Sequence, residues 1–326
     1  MDIELRIPVE ILRCPRSQMK LELTGEVLST EDGAYRYPIS VGVPILIHDS
    51  LSICDVKEIL NQDSVARSES RARRLIRRLI PGHSLSIGTK ERYAAFEQEL
   101  LRRVRGRRPL VLVVGGGQVG AGMSGFVNSS KVDLIETDIY LGPRVSVVCD
   151  GHHLPFAEET FDGVVIQAVL EHVLDPPRVV AEIHRVLCAD GVVYAETPFM
   201  QQVHEGPYDF TRWTEIGHRR LFRMFQELDR GVVAGSSTAL LWSLRYFART
   251  FPSKHSFLQL ILDKLVVVCF FWLKYFDRAL IGHPGATDGA SGVFFMGGKQ
   301  DQPVSDIDVL ASYRGTVGRP IRSKTG

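Results

Sequence analysis

The stretch from residue 109 to about 300 predicts an α/β fold built on a doubly wound parallel sheet. Three observations carry this: apolar runs of strand length alternate with a helical pattern, glycines end the first run, and an acidic residue follows the second. The first strand is Val111-Leu112-Val113-Val114, which stops at Gly115-Gly116-Gly117. Val132 to Ile135 and Arg144 to Val148 are the next expected strands, followed by Gly163 to Ile166. An amphipathic helix over Pro176 to Leu187 places Val179, Val180, Ile183, Val186 and Leu187 on one face. Asp190-Gly191 then turns the chain into Val192 to Ala195, and Val293 to Met296 is the last expected strand.

Three segments flank or interrupt this core. Residues 1–50 read as a small β-rich unit, with alternation over residues 34–39 and a short apolar strand over 43–47 after Gly42. A piece of that size buries little core alone, so it is expected to pack on its neighbour. Residues 51–108 read as a basic helical linker carrying Arg67, Arg71, Arg73, Arg74, Arg77, Arg78, Arg102, Arg103, Arg105, Arg107 and Arg108. Such a cluster is either a solvated helical face or an attraction to an anionic partner. Residues 240–290 form a helical insertion, apolar over 240–251 and 257–275. Its nine-residue run 265–273, bounded by Asp263-Lys264 and Lys274, is too short to cross a bilayer. It is expected either to cover the active site as a buried pair or to rest in a membrane interface. Residues 301–326 are expected to be a flexible tail.

The 326 residues are 44% hydrophobic, which excludes wholesale disorder. Lys plus Arg (39) nearly cancels Asp plus Glu (38), so global charge gives no pointer to nucleic acid. Five scattered cysteines without a C-x-x-C pair disfavour a disulfide scaffold or an all-cysteine zinc site. A reducing, cytoplasmic location is expected, with contact at the inner face of the membrane if the insertion reaches it.

Gly115-Gly116-Gly117-Gln118-Val119-Gly120 satisfies G-x-G-x-x-G, and Glu136 and Asp138 follow about 20 positions later, where an acid can hold a ribose. That pattern alone fits a nicotinamide cofactor or S-adenosylmethionine. The runs Cys149 to Phe156, Glu158 to Asp162 and Gln167 to Pro176 decide between them. Together they resemble the central motifs of class I S-adenosylmethionine-dependent methyltransferases, in the branch of quinone-biosynthesis C- and O-methyltransferases. The resemblance implies a Rossmann-like methyltransferase sheet with S-adenosyl-L-methionine as cofactor. It implies that Gly115 and Gly117 pass under the methionine part and that Asp138 accepts both ribose hydroxyls. Asp150 would receive the adenine amino group, Gly151 or His152 would meet the ring edge by its backbone, and Gln167 would lie at the amino-acid end. No tyrosine starts a Tyr-x-x-x-Lys pair, which disfavours an oxidoreductase. Val113 stands where the family carries an acid, and Gly120 displaces the third glycine. A non-catalytic binding protein retaining the fold is therefore the competing class.

The N-terminal unit, through Ile11 to Pro15, Tyr37 to Ile39 and Gly42 to Leu46, resembles the zinc-ribbon-like activator domain of RNA and translation-factor methyltransferases. Ser17 replaces the second cysteine, and no cysteine precedes Tyr37, so the shape is expected without the metal. No metal ligand is assigned anywhere in the chain.

A methyl sulfonium is itself electrophilic, so the protein needs to align the acceptor and, for some acceptors, take a proton. Glu171-His172 follows the fourth strand, and a dense loop follows the fifth: His204, Tyr208, Asp209, Arg212 and Trp213. His204 and Asp209 are the preferred acid/base pair, with His172 as a further base. Glu171, Tyr208, Arg212 and Trp213 are assigned to the acceptor. A small-molecule, glycan- or lipid-linked acceptor is expected, with O-methylation preferred to C or N.

Overall fold

Eleven strands form one continuous sheet in the order β1-β2-β3-β4-β7-β6-β5-β8-β9-β11-β10 in a computed structural model. It describes residues 5–48, 50, 52–53, 55–61, 82, 84–251 and 256–316. The centre is β5 (Leu110–Val114), flanked in parallel by β6 (Asp133–Asp138) and β8 (Phe161–Gln167). Val111 to Val114 and Val164 to Ile166 are buried, which is why these strands read as unbroken apolar runs. β7 (Val147–Cys149) continues the parallel set beyond β6, and β9 (Leu187–Pro198) continues it beyond β8. β11 (Gly292–Lys299) lies antiparallel between β9 and β10 (Phe225–Ala234).

Helices cover both faces. The helix Pro176–Val186 starts where Asp175 accepts from the Arg178 N–H, and it buries Val179, Val180, Ile183 and Val186. On the other face the helix Thr89–Arg103 buries Tyr93, Phe96 and Leu100 against Val111, Val113, Val165 and Tyr194. The crossover from β6 to β7 departs from the doubly wound pattern, since residues 139–146 contain no helix. Arg6 of the N-terminal unit spans this gap, donating to the carbonyls of Pro143 (3.2 Å) and Val145 (3.1 Å). A groove of about 400 Å³ remains beside β6, lined by Val127, Asp133, Glu136, Pro143 and Arg144 among others.

The N-terminal unit is β-rich as expected, and it is part of the sheet. β1 (Leu21–Thr24), β2 (Val27–Thr30), β3 (Arg36–Ser40) and β4 (Val43–Leu46) pair antiparallel in sequence. β4 then pairs in parallel with β7, Ile45 opposite Val148 and Leu46 opposite Cys149. Cys14 is buried, its sulfur 3.1 Å from the Tyr37 hydroxyl, and it accepts from the Ser17 N–H at 3.4 Å.

One segment is described only in part, and another differs from expectation. Arg67 to Arg78 of the basic cluster lie outside the described residues. The later arginines are fasteners: Arg102 and Arg103 pair with Glu99, Arg107 with Asp162 at 2.6 Å, and Arg108 with Asp133 at 2.8 Å. Residues 301–316 of the expected flexible tail are packed, because Val309 of the helix Asp306–Ala311 is buried and Arg220 and Arg314 pair with Asp306 and Glu227.

The helix Glu215–Leu221 carries a buried histidine with a consequence for acid stability. Burial holds His218 down to about 3, against an ordinary 6.5. The unfolded chain thus binds a proton that the folded chain refuses between those values. His218 favours folding fully above pH 6.5, and that contribution falls by about 1.4 kcal/mol per pH unit as acid is added, until pH 3. His218→Leu is expected to flatten the pH dependence of thermal unfolding between pH 6.5 and 4.5 by one proton. Identical slopes for wild type and variant would contradict this.

Candidate active site

The carboxyl ends of β5, β6, β8 and β9 bring the sequence-assigned residues to one edge of the sheet. β5 ends at Val114 and the chain bends at once, with Gly115 at φ +76°. A Cβ at Gly115 would stand 2.3 Å from the Val169 side chain, so the bend needs the bare backbone. The Gly116 N–H donates to the Thr137 carbonyl at 2.8 Å, and the Gly117 N–H donates to the Asp138 carboxylate at 2.9 Å. Asp138 also accepts from the Tyr140 N–H, and burial raises its carboxyl above the usual range. Glu136 is elsewhere engaged: it is buried in an ion pair with Arg144. Of the two acids at the end of the second strand, Asp138 is the one whose carboxylate accepts from the glycine bend.

Asp150 follows β7. It accepts from the His152 backbone N–H (3.0 Å), from the His152 ring (2.5 Å) and from the Ser52 hydroxyl (2.7 Å). Burial alone would raise this carboxyl, but those donors outweigh it and hold it at about 2. The His152 Nε2 accepts from the Asp175 N–H at 3.0 Å, which fixes the tautomer with the proton on Nδ1. Gly151 opens the short 3-10 turn that carries this histidine.

Gln167 ends β8 beneath the glycine loop. Its amide donates to the Ala121 carbonyl (3.2 Å) and to Glu196 (2.6 Å), and its oxygen accepts from the Tyr93 hydroxyl (3.2 Å). Glu196 also accepts from the Tyr194 hydroxyl, and burial raises its carboxyl. Sequence reasoning did not assign Glu196 or Tyr93. The signal available for Glu196 was an acid at the carboxyl end of a continuous apolar strand.

Next comes a sharp turn. Ala168 adopts φ +54°, uncommon for a residue with a side chain, and Val169 lies over Gly115. The 3-10 turn Leu170–His172 follows. Here the structure joins what the sequence presented as two clusters. Glu171 is fully buried, neither carboxylate oxygen accepts a hydrogen bond, and burial pushes its carboxyl up to about 7. The Nε2 atoms of His172 and His204 lie 3.7 Å and 3.8 Å from one Glu171 oxygen. His172 donates from Nδ1 to the Tyr208 carbonyl at 2.7 Å. His204 Nδ1 stands 3.4 Å from Asp209, and the His204 backbone N–H donates to Asp209 at 2.8 Å.

Arg212 needs a correction. Its guanidinium is committed to Asp209 and to the carbonyls of Gln201, Gln202 and Thr211, which leaves no donor for an acceptor. It fastens its own loop. Tyr208 contributes its carbonyl to His172 while its ring is exposed (54%). Trp213 precedes the helix Glu215–Leu221, with its indole nitrogen buried and without a hydrogen-bond partner.

The helical insertion closes over this loop. Its helix Ser236–Arg249 is tied to it by Tyr246 donating to the Val203 carbonyl, by Gln202 and Ser243 at 3.1 Å, and by Trp242, whose ring lies 6.3 Å from His204. The buried Asp277 carboxylate accepts from the N–H groups of Gly235, Ser237 and Thr238 and from the Thr238 hydroxyl. Arg245 pairs with Asp263 to hold the next helix, Ser256–Phe270.

The bare bend, the carboxylate held against it and the Asp150 turn fit an adenosyl cofactor: a Cβ at Gly117 would lie 2.6 Å from Asp138, so the loop leaves only backbone between the two. With the sheet order and the antiparallel β11, they make a Rossmann-like sheet of the methyltransferase kind. Residues 123–195 match the family described as Methyltransferase domain. Among curated proteins, the arginine-hydroxylase NDUFAF5 of Rattus norvegicus mitochondria is 50% identical over 58 residues, and that of Homo sapiens is 49% identical over 57. Each match covers 18% of this chain and 16% of the relative. Among solved structures, a 1,6-didemethyltoxoflavin N1-methyltransferase of Burkholderia thailandensis is 17% identical, with a TM-score of 0.40 over 85% of this chain and 100% of its own. A putative sarcosine dimethylglycine methyltransferase of Galdieria sulphuraria is 16% identical, with a TM-score of 0.40 over 65% and 86%.

Proposed function

We propose that the chain transfers the methyl group of S-adenosylmethionine to a hydroxyl of a small glycan- or lipid-linked acceptor. Asp138 would hold the ribose hydroxyls, Asp150 and the backbone at Gly151 and His152 the adenine, and Gly115, Gly117 and Gln167 the methionine end. Val113 brings no carboxylate to the first strand. Glu196, in register with Gln167 and on the sheet face shared by Val113, Val165 and Tyr194, is the buried acid that would face the cofactor's ammonium. The cofactor supplies an activated methyl group. The chain's residues orient the acceptor and receive its proton, at His204 held by Asp209 or at His172 held by the Tyr208 carbonyl.

The observation that carries this reading is the pair of imidazoles converging on buried Glu171, reached from the glycine bend through Val169. A lipid-linked acceptor is favoured by the insertion, whose Leu240, Phe247, Phe251, Ile261, Leu265 and Trp272 are exposed. Among the described residues no helix is long and apolar enough to cross a membrane.

Calorimetric titration with S-adenosylmethionine, followed by radiolabelled methyl transfer to membrane lipid and soluble glycan extracts, tests the reading. Asp138→Ala is expected to weaken cofactor affinity about 100-fold, since two charge-assisted hydrogen bonds are lost. Label is expected in the lipid-linked fraction. A folded wild type that binds no cofactor would end the enzymatic reading, and label confined to soluble acceptors would end the lipid assignment.

A further inference from the structure

We propose that Glu171, His172 and His204 bind a first-row divalent transition ion, with zinc, cobalt and iron the fitting class. The proposal deepens the reading of these residues as the acceptor-side cluster. Their ligand atoms all lie within 4.8 Å of one another, with the two Nε2 atoms 3.7 Å and 3.8 Å from one Glu171 oxygen. Ligands held about 2.1 Å from a common tetrahedral centre stand roughly 3.4 Å apart, so the spacing is close to that of a closed site.

Proton placement argues further. The His172 Nδ1 meets a carbonyl, which only an N–H can do favourably, so its Nε2 presents a lone pair to Glu171. The His204 Nδ1 faces the Gln202 carbonyl at 3.3 Å and the Asp209 carboxylate at 3.4 Å, which sets the same tautomer. Two lone pairs therefore converge on a buried carboxyl group that has no hydrogen-bond partner. Glu171 is fully buried, and neither of its oxygens has a hydrogen-bond partner. A cation at the point of convergence satisfies all three groups at once.

The surroundings are those of a metal centre. Ligating histidines characteristically donate their second nitrogen to a carbonyl or carboxylate, which fixes ring orientation. His172 does so to Tyr208. His204 faces Asp209, itself clamped by Arg212. Two neutral imidazoles and one carboxylate suit zinc, iron or cobalt and are a poor match for magnesium or calcium, which take oxygen ligands. Three protein ligands leave a position for water or an acceptor oxygen, whose proton the ion would release to solvent; with both Nε2 atoms on the ion, His172 and His204 serve as ligands in place of the proton-accepting role given them above.

The test uses the full chain, free of any histidine tag, after chelator treatment and without S-adenosylmethionine. Cobalt is titrated by visible absorption and zinc by calorimetry. One equivalent is expected to bind with micromolar or tighter affinity, and magnesium is expected not to compete. Glu171→Gln and His204→Asn should each weaken binding at least tenfold, whereas His283→Ala, at an exposed site, should not. Melting curves taken without metal establish that the variants fold. Should one fail to fold, Asp209→Asn is substituted, with a tenfold or greater loss expected. No binding by the wild type, only millimolar binding, or full affinity in every variant overturns the proposal. Methyl transfer that persists in metal-free protein would remove the ion and leave the transfer reading standing. Stoichiometric cobalt in a chain that binds no S-adenosylmethionine would do the reverse.

Discussion

Gly115→Ala is expected to abolish cofactor binding while the sheet survives. Two costs act together. An alanine at φ +76° enters the left-handed region, which costs about 1–2 kcal/mol. Its methyl would also stand 2.3 Å from the Val169 Cγ2, and Val169 has little freedom because it follows the tight turn at Ala168. Either the bend opens or the 168–172 turn is displaced, and both disturb the space assigned to the methionine end. Affinity for S-adenosylmethionine is expected to fall at least 100-fold, about 2.8 kcal/mol. Gly125→Ala is the matched control, because a Cβ there meets nothing within 4 Å. Calorimetry with circular dichroism separates the outcomes: lost affinity with native ellipticity supports the placement, and unchanged affinity refutes it.

Asp277→Ala is expected to give the largest loss of stability. The carboxylate is fully buried and accepts four hydrogen bonds, three of them from N–H groups at or beside the start of the helix Ser236–Arg249. Each such charge-assisted bond contributes about 1.5–3 kcal/mol, and bonds sharing one acceptor do not add fully. A loss of about 4 kcal/mol is therefore expected, or roughly 6 °C in melting temperature. Since that helix is tied to residues 202–204, trypsin should cut the insertion faster, and methyl transfer should fall more than cofactor affinity. Asp277→Asn, which keeps an acceptor oxygen, should recover part of the stability. A melting temperature within 2 °C of wild type in the alanine variant would contradict this account.

The central strands were legible because burial on both faces leaves a plain mark: Val111 to Val114 and Gly163 to Ile166 read as unbroken apolar runs. The helix Pro176–Val186 was legible through the period of its apolar residues, whereas its Asp175 cap came from the structure. What escaped the sequence were long-range relations. Nothing local in Val43 to Leu46 says that the strand pairs with residues more than 100 positions away, or that Arg6 fills the missing crossover. At the site, the glycines and an acid at 136 or 138 could be placed from motif spacing, Asp138 and Asp150 only through the family resemblance, and the structure gathers Gly115, Gly117, Asp138 and Asp150 at one edge. The joining of Glu171 and His172 to His204 could not be read, because two loops about 30 residues apart meet only when β8 and β9 lie side by side. Arg212 illustrates the same limit: a guanidinium in a polar loop looks available until its partners within that loop are known.

The pairing of β4 with β7 gives the N-terminal unit a part in closing the sheet. Here its final strand supplies the backbone partners of β7, which would otherwise present a bare row of amides and carbonyls as a template for another chain. The sheet's margin is thereby sealed by main chain alone, so the seal places no demand on which side chains β4 carries.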